Sequence, residues 1–222
     1  MIDAWPTLPL GARAALEEQW NALAAGGLAC GAAIVDSSDK VVASGRNHAY
    51  DVAGALETRS RYALQHNRLA HAELNALACV ATEVDHRALT LWSTQHPCSM
   101  CAAALSFVEI GRVAYIADDL SDASDAERIV ASRGSIPYRA LGQPLWWTIS
   151  NLLFLHNPAV RAGRNAGSVK RALARCPQLA ELVLELAQDD ALGAVARAGK
   201  TLPNGLEPYR SRIQHCAERG FL

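Results

Sequence analysis

The sequence predicts an α/β fold in which helices cover both faces of a central β-sheet and a helical extension follows. Two observations carry this prediction. Up to about residue 141, short apolar runs alternate with segments of helical periodicity, which is typical of layered α/β domains. After Pro144 the pattern becomes wholly helical, with Pro158, Pro177 and Pro203 marking breaks. We therefore expect a domain over residues 1–144 and a helical extension over 145–222 packed on it.

The first elements are predicted to be a helix and a β-hairpin. Residues 11–25 are rich in Ala, Leu and Glu, and Gly26-Gly27 follows, so this segment predicts an amphipathic helix that ends at the glycines. The apolar runs 30–35 and 41–44 flank a run of turn-forming residues (Asp36-Ser37-Ser38-Asp39), which predicts two antiparallel strands. Residues 51–69 are more polar and predict a loop with one or two helical turns.

The next segments alternate between helix and strand. In order, they are a helix at 71–81, a strand at 88–92, a helix at 97–110 that starts at Pro97, a buried strand at 112–117, a helix at 125–132 and a last strand at 136–141. In the extension, an apolar stripe at helical spacing predicts a packed helix around residues 179–186 (Leu179, Leu182, Val183 and Leu186).

The bulk composition is that of a globular protein with a weak net charge. Half of the 222 residues are apolar and the net charge is −1, which argues against broad nucleic-acid binding. Residues 1–139 carry 11 Lys/Arg against 16 Asp/Glu, a balance of −5, whereas residues 140–222 carry 10 against 6, a balance of +4. The basic balance of the extension is consistent either with a phosphate-facing surface or with an ordinary solvated one.

The location of the protein is predicted from its N-terminus, its hydropathy and its cysteines. The first residues show no signal peptide, and no apolar run approaches the ~20 residues of a membrane span. Its 6 cysteines therefore indicate thiols in a reducing cytoplasm and not a disulfide framework. Cys30, Cys79, Cys176 and Cys216 are predicted to be buried small hydrophobic residues.

Two short motifs predict a catalytic metal site. His71-Ala72-Glu73 is followed, after the 24 residues from 74 to 97, by Cys98 and Cys101 within Pro97-Cys98-Ser99-Met100-Cys101. One imidazole and two thiolates are a common ligand set for Zn²⁺, and three protein ligands leave a fourth position for water. Cys98 and Cys101 are three residues apart at the start of a predicted helix, where the helix dipole favours thiolates. Alternatives are a core histidine with two thiols, or a redox Cys-x-x-Cys pair.

The motifs resemble the signature of zinc-dependent nucleobase deaminases, H-x-E followed by P-C-x-x-C. Supporting matches are Gly31-Ala32, Gly45-Arg46-Asn47 and Ile110-Gly111-Arg112-Val113. The chain therefore resembles the cytidine deaminase superfamily over about residues 10–142, in the branch with tRNA adenosine deaminases, guanine deaminases and nucleoside deaminases. The resemblance implies a three-layer fold with a five-stranded mixed sheet sandwiched by helices, and a homodimer as the usual smallest assembly.

Glu73 is the predicted catalytic residue. A carboxylate beside the metal could take a proton from water, pass it to a ring nitrogen and protonate the departing amine. The alternative is a glutamate on the solvated surface of the helix. Ala72 offers only its backbone N–H, for which the resemblance implies a contact with the substrate.

Four further side chains are candidate substrate contacts. Asn47 falls at the substrate-contacting asparagine of the family, although Gly-x-Asn is also common turn chemistry. His96 stands where the family often has Glu, and could contact the ring edge, support a metal ligand or neighbour a helix cap. Trp146 and Trp147 belong to an aromatic stretch with Phe154 and His156, which could stack on a base or pack in the core.

The sequence thus predicts a zinc-dependent hydrolase that deaminates an amino-substituted nucleobase or nucleoside, by attack of zinc-bound hydroxide and release of ammonia. The acidic balance of residues 1–139 favours a small substrate over tRNA, and the acidic stretch Gly-Phe-Asp-Asp of guanine deaminases is missing after the fourth strand. The stretch between Asn47 and His71 is longer than in tRNA adenosine deaminases. The alternatives are a tRNA adenosine-editing deaminase acting on a flipped-out base, and a non-catalytic module with structural zinc.

Overall fold

A five-stranded mixed sheet lies at the centre of the protein. The computed structural model describes residues 2–51, 64–120 and 136–219. The strands are β1 (Gly31–Val35), β2 (Val41–Arg46), β3 (Thr90–Gln95), β4 (Arg112–Ala117) and β5 (Tyr138–Ala140), in the spatial order β2-β1-β3-β4-β5. β1 pairs antiparallel with β2 and β3, whereas β3–β4 and β4–β5 are parallel. The predicted hairpin and mixed sheet are confirmed.

Helices cover both faces of this sheet. Within the described residues up to 120, the α-helices are α1 (Leu10–Ala24), α2 (Ala72–Leu77) and α3 (Ser99–Phe107). Side chains alternate along β3, so Leu91 joins a core with α2 and α3 whereas Trp92 packs on the opposite core with α1. The predicted three-layer arrangement is therefore confirmed.

The segment after Pro144 is helical, as predicted. Its helices are α4 (Pro144–Ala162), α5 (Gly167–Arg175), α6 (Pro177–Ala187), α7 (Ala191–Arg197), α8 (Leu202–Leu206) and α9 (Arg210–Arg219). All four residues of the predicted apolar stripe are buried in α6. One apolar core runs from α1 through α4 to α6, for example from Leu16 through Leu152 to Leu179. The division at residues 144 and 145 stays a prediction.

Two helices are shorter than the sequence predicts. α2 ends at Leu77 and not near residue 81. Residues 78, 79 and 81–85 are exposed, so a longer helix would bury little more apolar surface against the sheet. α3 begins at Ser99 and not at Pro97, since Cys98 has the extended backbone of an N-cap residue (φ −67°, ψ 169°). The predicted helix at 125–132 and the helical turns predicted within 52–63 lie outside the described residues.

The described helices also bear on membrane association. None of those within 2–51, 64–120 and 136–219 combines the length and the apolar character needed to cross a membrane. The longest, α4, spans 19 residues but carries polar side chains such as Asn151 and Asn157 along its length.

Candidate active site

The predicted site residues meet at one edge of the sheet. β3 and β4 are parallel, so their carboxyl ends lie together. β1 runs antiparallel to β3, so its start lies at this edge, and β2 runs antiparallel to β1, so its end lies beside the start of β1. α3 begins just after β3, and α2 begins close to β2. Gly45 permits that approach, since a Cβ there would meet the backbone nitrogen of Ala76 at 2.6 Å. The edge therefore collects His71, Glu73 and the two cysteines.

His71, Cys98 and Cys101 form a compact triangle of donor atoms. The two Sγ atoms lie 3.7 Å apart, and His71 Nδ1 lies 3.7 Å from Cys98 Sγ and 3.5 Å from Cys101 Sγ. Tetrahedral zinc, at about 2.3 Å from sulfur and 2.0–2.1 Å from nitrogen, would separate two sulfurs by about 3.8 Å and a sulfur from a nitrogen by about 3.6 Å. The donor set therefore fits Zn²⁺ in both chemistry and spacing.

Electrostatics within the triangle favour a thiolate. Hydrogen bonds from Cys101 and His71 to Cys98 outweigh partial burial and lower the pKa of Cys98 to about 4. The hydrogen bond between His71 and Cys98 in turn raises the pKa of His71. The hydrogen bond between Cys101 and Cys98, together with burial, raises the pKa of Cys101 well above 9.0. The proton on Cys101 is the one that a bound cation would displace, since zinc binds the thiolate form.

Glu73 is buried beside the triangle, with 6 % of its surface exposed, and is not a solvated surface residue. Ser93 Oγ donates to Glu73 Oε1 at 3.1 Å, and Cys101 Sγ lies 3.4 Å from Oε2. Burial raises the pKa of the Glu73 carboxyl. Sequence reasoning missed Ser93. The available signal was that Ser93 lies two residues after Leu91 on β3. Side chains two residues apart on a strand point to the same face, here the face covered by α2.

Asn47 lies at the end of β2 in a tightly bonded turn. Its backbone N–H donates to the Cys30 carbonyl at 3.0 Å, and its Oδ1 accepts from the Ala49 N–H at 2.9 Å. The turn role considered for Asn47 is thus present, and it occupies the side-chain oxygen. A substrate-binding role stays a prediction.

A buried charged cluster holds the same turn and was not predicted. Arg46 donates two hydrogen bonds to Asp51, at 2.8 and 2.9 Å, and His48 Nδ1 lies 2.8 Å from Asp51 Oδ2. The three side chains are 3–4 % exposed. Burial raises the pKa of Asp51, but hydrogen bonds from His48 and Arg46 outweigh it, and the net shift is downward. The backbone N–H of His48 donates to Ala70, the residue before His71.

His96 packs between two tyrosines. Its ring centroid lies 4.7 Å from that of Tyr115, edge to face, and 5.4 Å from that of Tyr138, stacked. Its backbone N–H donates to the Ala117 carbonyl at 2.8 Å. Cys98 and not His96 occupies the N-cap of α3. His96 therefore supports the turn that carries Cys98, and a contact with the substrate stays a prediction.

The structure separates the two tryptophans of the aromatic stretch. Trp146 is 2 % exposed, and its ring centroid lies 5.7 Å from that of Trp5 within the core. Trp147 is half-buried, and its Nε1 donates to Asp118 Oδ2 at 3.4 Å, just beyond β4. Burial of Trp146 favours the packing interpretation for that ring, while Trp147 lies at the edge that carries the site.

The remaining cysteines only partly match the prediction. Cys176 and Cys216 are buried as predicted, but Cys79 is exposed because α2 ends before it, and Cys30 is half-buried. Burial and the nearby Glu73 and Asp119 raise the pKa of Cys30. Cys30 and Asp119 are therefore neighbours of the site that sequence reasoning missed. The signal in the sequence was that Cys30 directly precedes β1 and Asp119 closely follows β4, at the edge that carries the site.

The fold and the donor set define a zinc-binding site of the deaminase type. Residues 10–117 match the family model for the cytidine and deoxycytidylate deaminase zinc-binding region. Residues 10–117 therefore form a zinc-binding region of the cytidine and deoxycytidylate deaminase type, and the zinc cofactor predicted from the motifs agrees with both this match and the observed cluster. No curated protein sequence matches the chain.

Several deaminases are among the solved structures to which the chain is similar. The guanine deaminase from Nitrosomonas europaea is 17% identical with a TM-score of 0.50, over 66% of this chain and 85% of that one. A tRNA:A34 deaminase is 23% identical with a TM-score of 0.46, over 58% of this chain and 95% of that one. A dCMP deaminase from the cyanophage S-TIM5 is 22% identical with a TM-score of 0.36, over 50% and 79%. At these identities, similarity concerns the fold alone.

Proposed function

We propose that this protein is a zinc-dependent hydrolase that removes the amino group from a small amino-substituted nucleobase or nucleoside. The observation that carries the proposal is the juxtaposition of a three-donor metal triangle with a buried carboxyl, Glu73, whose Oε2 lies 3.4 Å from Cys101 Sγ. A purely structural zinc site has four protein ligands and no need of such a carboxyl. His71, Cys98 and Cys101 would hold the metal, which lowers the pKa of a water molecule when bound.

Glu73 is the proton carrier in this proposal. It accepts a proton from the attacking water and delivers it to the ring nitrogen next to the carbon that carries the amino group. It then transfers the second proton of the water to the amine, which leaves as ammonia while the ring carbon becomes a carbonyl. Ser93 keeps Glu73 Oε1 in a hydrogen bond at 3.1 Å, which restricts the rotation of the carboxyl.

The residues proposed to hold the substrate begin or follow elements that meet at this edge of the sheet. The backbone N–H of Ala72 begins α2, Asn47 follows β2, and Trp147 bonds Asp118, which follows β4. We propose that they contact the ring or sugar, with the Trp147 ring offering an apolar face. His96 supports the metal-binding turn and Trp146 packs in the core, so in our proposal their contribution to substrate binding is indirect.

The charges at the edge favour a small substrate over a polyanion. Asp118 and Asp119 follow β4 directly, and residues 1–139 carry 11 Lys/Arg against 16 Asp/Glu. A negative field at the site opposes the approach of phosphates. We also propose a homodimer in a reducing cytoplasm. In our proposal, the dimer covers Phe107 at the end of α3, which is 75% exposed in the single chain.

The test is an ammonia-release assay on full-length protein with aminated purines, pyrimidines and pteridines, as bases and nucleosides. We expect turnover of at least one small compound, about one zinc per chain by metal analysis, and weak gel-shift binding to bulk RNA. Zinc-free protein with freely alkylated Cys98 and Cys101 would overturn the proposal. Inertness toward the panel, together with salt-sensitive tight binding and inosine formation in tRNA, would identify the tRNA-editing alternative instead.

A further inference from the structure

One face of α4 contacts four chain segments that lead to or from the central strands of the sheet. Trp147 bonds Asp118 after β4, and Ser150 bonds the end of β3. Asn157 bonds the turn between α1 and β1, and Arg161 bonds the carbonyls of Gly26 and Tyr50, the latter in the segment after β2. The spacings of three, seven and four residues place these side chains on one helical face. α4 lies outside residues 10–117, the region that the family model matches.

Ser150 makes the contact closest to the metal-binding turn. It is fully buried, and its hydroxyl donates to the Thr94 carbonyl at 2.7 Å and accepts from Gln95 Nε2 at 2.9 Å. Gln95 is followed by His96, Pro97 and the N-cap residue Cys98. The hydroxyl therefore holds both the backbone and a side chain of β3 just before the chain turns to present Cys98.

The backbone of Ser150 is itself fixed to α1, which packs in the same core as α4. Its carbonyl accepts from Gln19 Nε2 at 3.0 Å, and the same amide nitrogen donates to the Ala29 carbonyl at 2.9 Å. Gln19 is fully buried on α1. Because a buried hydrogen bond is directional and costly to leave unmade, this chain of bonds limits the displacement of the end of β3 relative to α4 and α1.

We propose that Ser150 is a positioning residue for the metal-binding turn, so that the helical extension holds Cys98 in its ligating position. The inference rests on the proposed zinc site at His71, Cys98 and Cys101. Removing the hydroxyl leaves the Thr94 carbonyl and the Gln95 amide without this partner, and the turn gains freedom at Cys98. Residues that orient metal ligands without touching the metal commonly change metal affinity when they are replaced.

The experiment compares zinc affinity in full-length variants by competition with a chromophoric chelator. We expect Ser150→Ala to weaken zinc binding by about tenfold or more and to speed zinc loss. The matched control is Asn157→Ala on the same helix. Asn157 is 4 % exposed and donates to Leu23 and Gly27 at 3.1 and 2.7 Å, away from the turn. We expect the control to lower Tm at least as much but to keep zinc affinity within about twofold, as distant sites usually act independently.

Two further variants keep the inference falsifiable if Ser150→Ala fails to fold. Gln95→Met removes one of the two hydroxyl bonds, from the turn side, and should also weaken zinc binding. Ser150→Thr retains a hydroxyl and should stay near the parent. Unchanged zinc affinity in Ser150→Ala, or in Gln95→Met if the first variant does not fold, would overturn the inference. So would an equal loss in Asn157→Ala. A parent protein that bound no zinc at all would instead overturn the proposed function.

Discussion

At the scale of single residues, the site combines groups that are costly to bury with partners that satisfy them. Glu73 has 6 % of its surface exposed and receives a hydrogen bond from Ser93. Burial raises the pKa of this carboxyl, because a charged carboxylate loses the solvation that water would give it. The buried cluster of Arg46, His48 and Asp51 follows the same principle, since each charge has a partner of opposite sign or a hydrogen bond.

We predict that Glu73→Gln binds zinc and folds but loses turnover by a factor of about a hundred to ten thousand or more, the usual size of proton-transfer catalysis. Glutamine matches the shape of glutamate and can still bond Ser93, but its amide cannot accept a proton and release it again. Steady-state ammonia release and metal content of the same preparation check this. Ser93→Ala is the companion variant and should lose less. Near-parent activity in Glu73→Gln would show that another group moves the protons.

We predict that Asp51→Asn destabilises the protein by about 3–5 kcal/mol, because it leaves the buried Arg46 guanidinium without a countercharge. Urea unfolding measures the change. The control is Glu109→Gln, which breaks the ion pair of Glu109 with Arg87, two side chains that are 63% and 70% exposed. That change should cost less than about 1 kcal/mol, since exposed ion pairs contribute little. Similar losses for both variants would mean that burial does not set the strength of the Arg46–Asp51 pair.

At the scale of elements, parallel pairing decides where the extension begins. β5 pairs parallel with β4, so its carboxyl end delivers the chain to the edge that carries the site, and α4 starts there after a short connection. Trp146 then faces the core beside Trp5, while Trp147 remains beside Asp118. The two neighbouring rings therefore lie in different surroundings, because successive residues of a helix point about 100° apart.

We predict opposite effects for the two tryptophans. Trp146→Ala should lose about 3–5 kcal/mol of unfolding free energy with the substrate profile unchanged, because a buried ring leaves a cavity. Trp147→Ala should raise KM or alter base preference with little change in Tm. Thermal unfolding and the ammonia-release panel are measured on the same samples. Loss of stability with an unchanged profile for Trp147→Ala would show that this ring is an anchor and not part of the substrate pocket.

At the scale of the whole molecule, the extension and the first domain share one core, and its buried polar groups connect distant parts of the chain. Gln19 on α1 bonds the Ser150 carbonyl, and Trp20 Nε1 donates to the Lys200 carbonyl at 2.7 Å. His156 is fully buried on α4, with Nε2 3.1 Å from Asp190 Oδ1 at the N-cap of α7. Asp190 also pairs with Arg197. Unfolding should therefore be cooperative across α1, α4 and α7.

We predict that acid destabilises the protein through His156. Burial lowers the pKa of His156 below 6.5 despite Asp190, so the unfolded state takes up a proton first as the pH falls. The stability gained from burying neutral His156 is fully present above the pKa that His156 has in the unfolded chain. Below that pKa, the free energy of unfolding decreases by at most about 1.4 kcal/mol per pH unit. Urea unfolding between pH 8 and pH 5 should show a flatter profile for His156→Gln, which cannot titrate there. Parallel profiles for parent and variant would contradict the prediction.

Local pattern was sufficient for the type of most described elements and for the three residues that form the candidate zinc site. The hairpin, β4 and the apolar stripe of α6 were predictable, because alternation with a period of two or 3.6 reports which face of a segment is buried. His71, Cys98 and Cys101 were predictable because few residue types bind zinc, and because the spacing of the two cysteines places both at one helix start. The layered fold follows from the order of these elements.

Tertiary structure alone decided the partners of those elements. Ser93 meets Glu73, Ser150 meets the β3 end, and Asp51 meets Arg46 only because strands and helices distant in sequence, or the turn after β2, come together in one arrangement. Periodicity shows that a side chain is buried but carries no information on what lies opposite it. The end of α2 at Leu77 was also decided by packing, since the next two residues are exposed. The sequence by itself determined the chemistry of the site, and long-range packing determined which residues hold that chemistry in place.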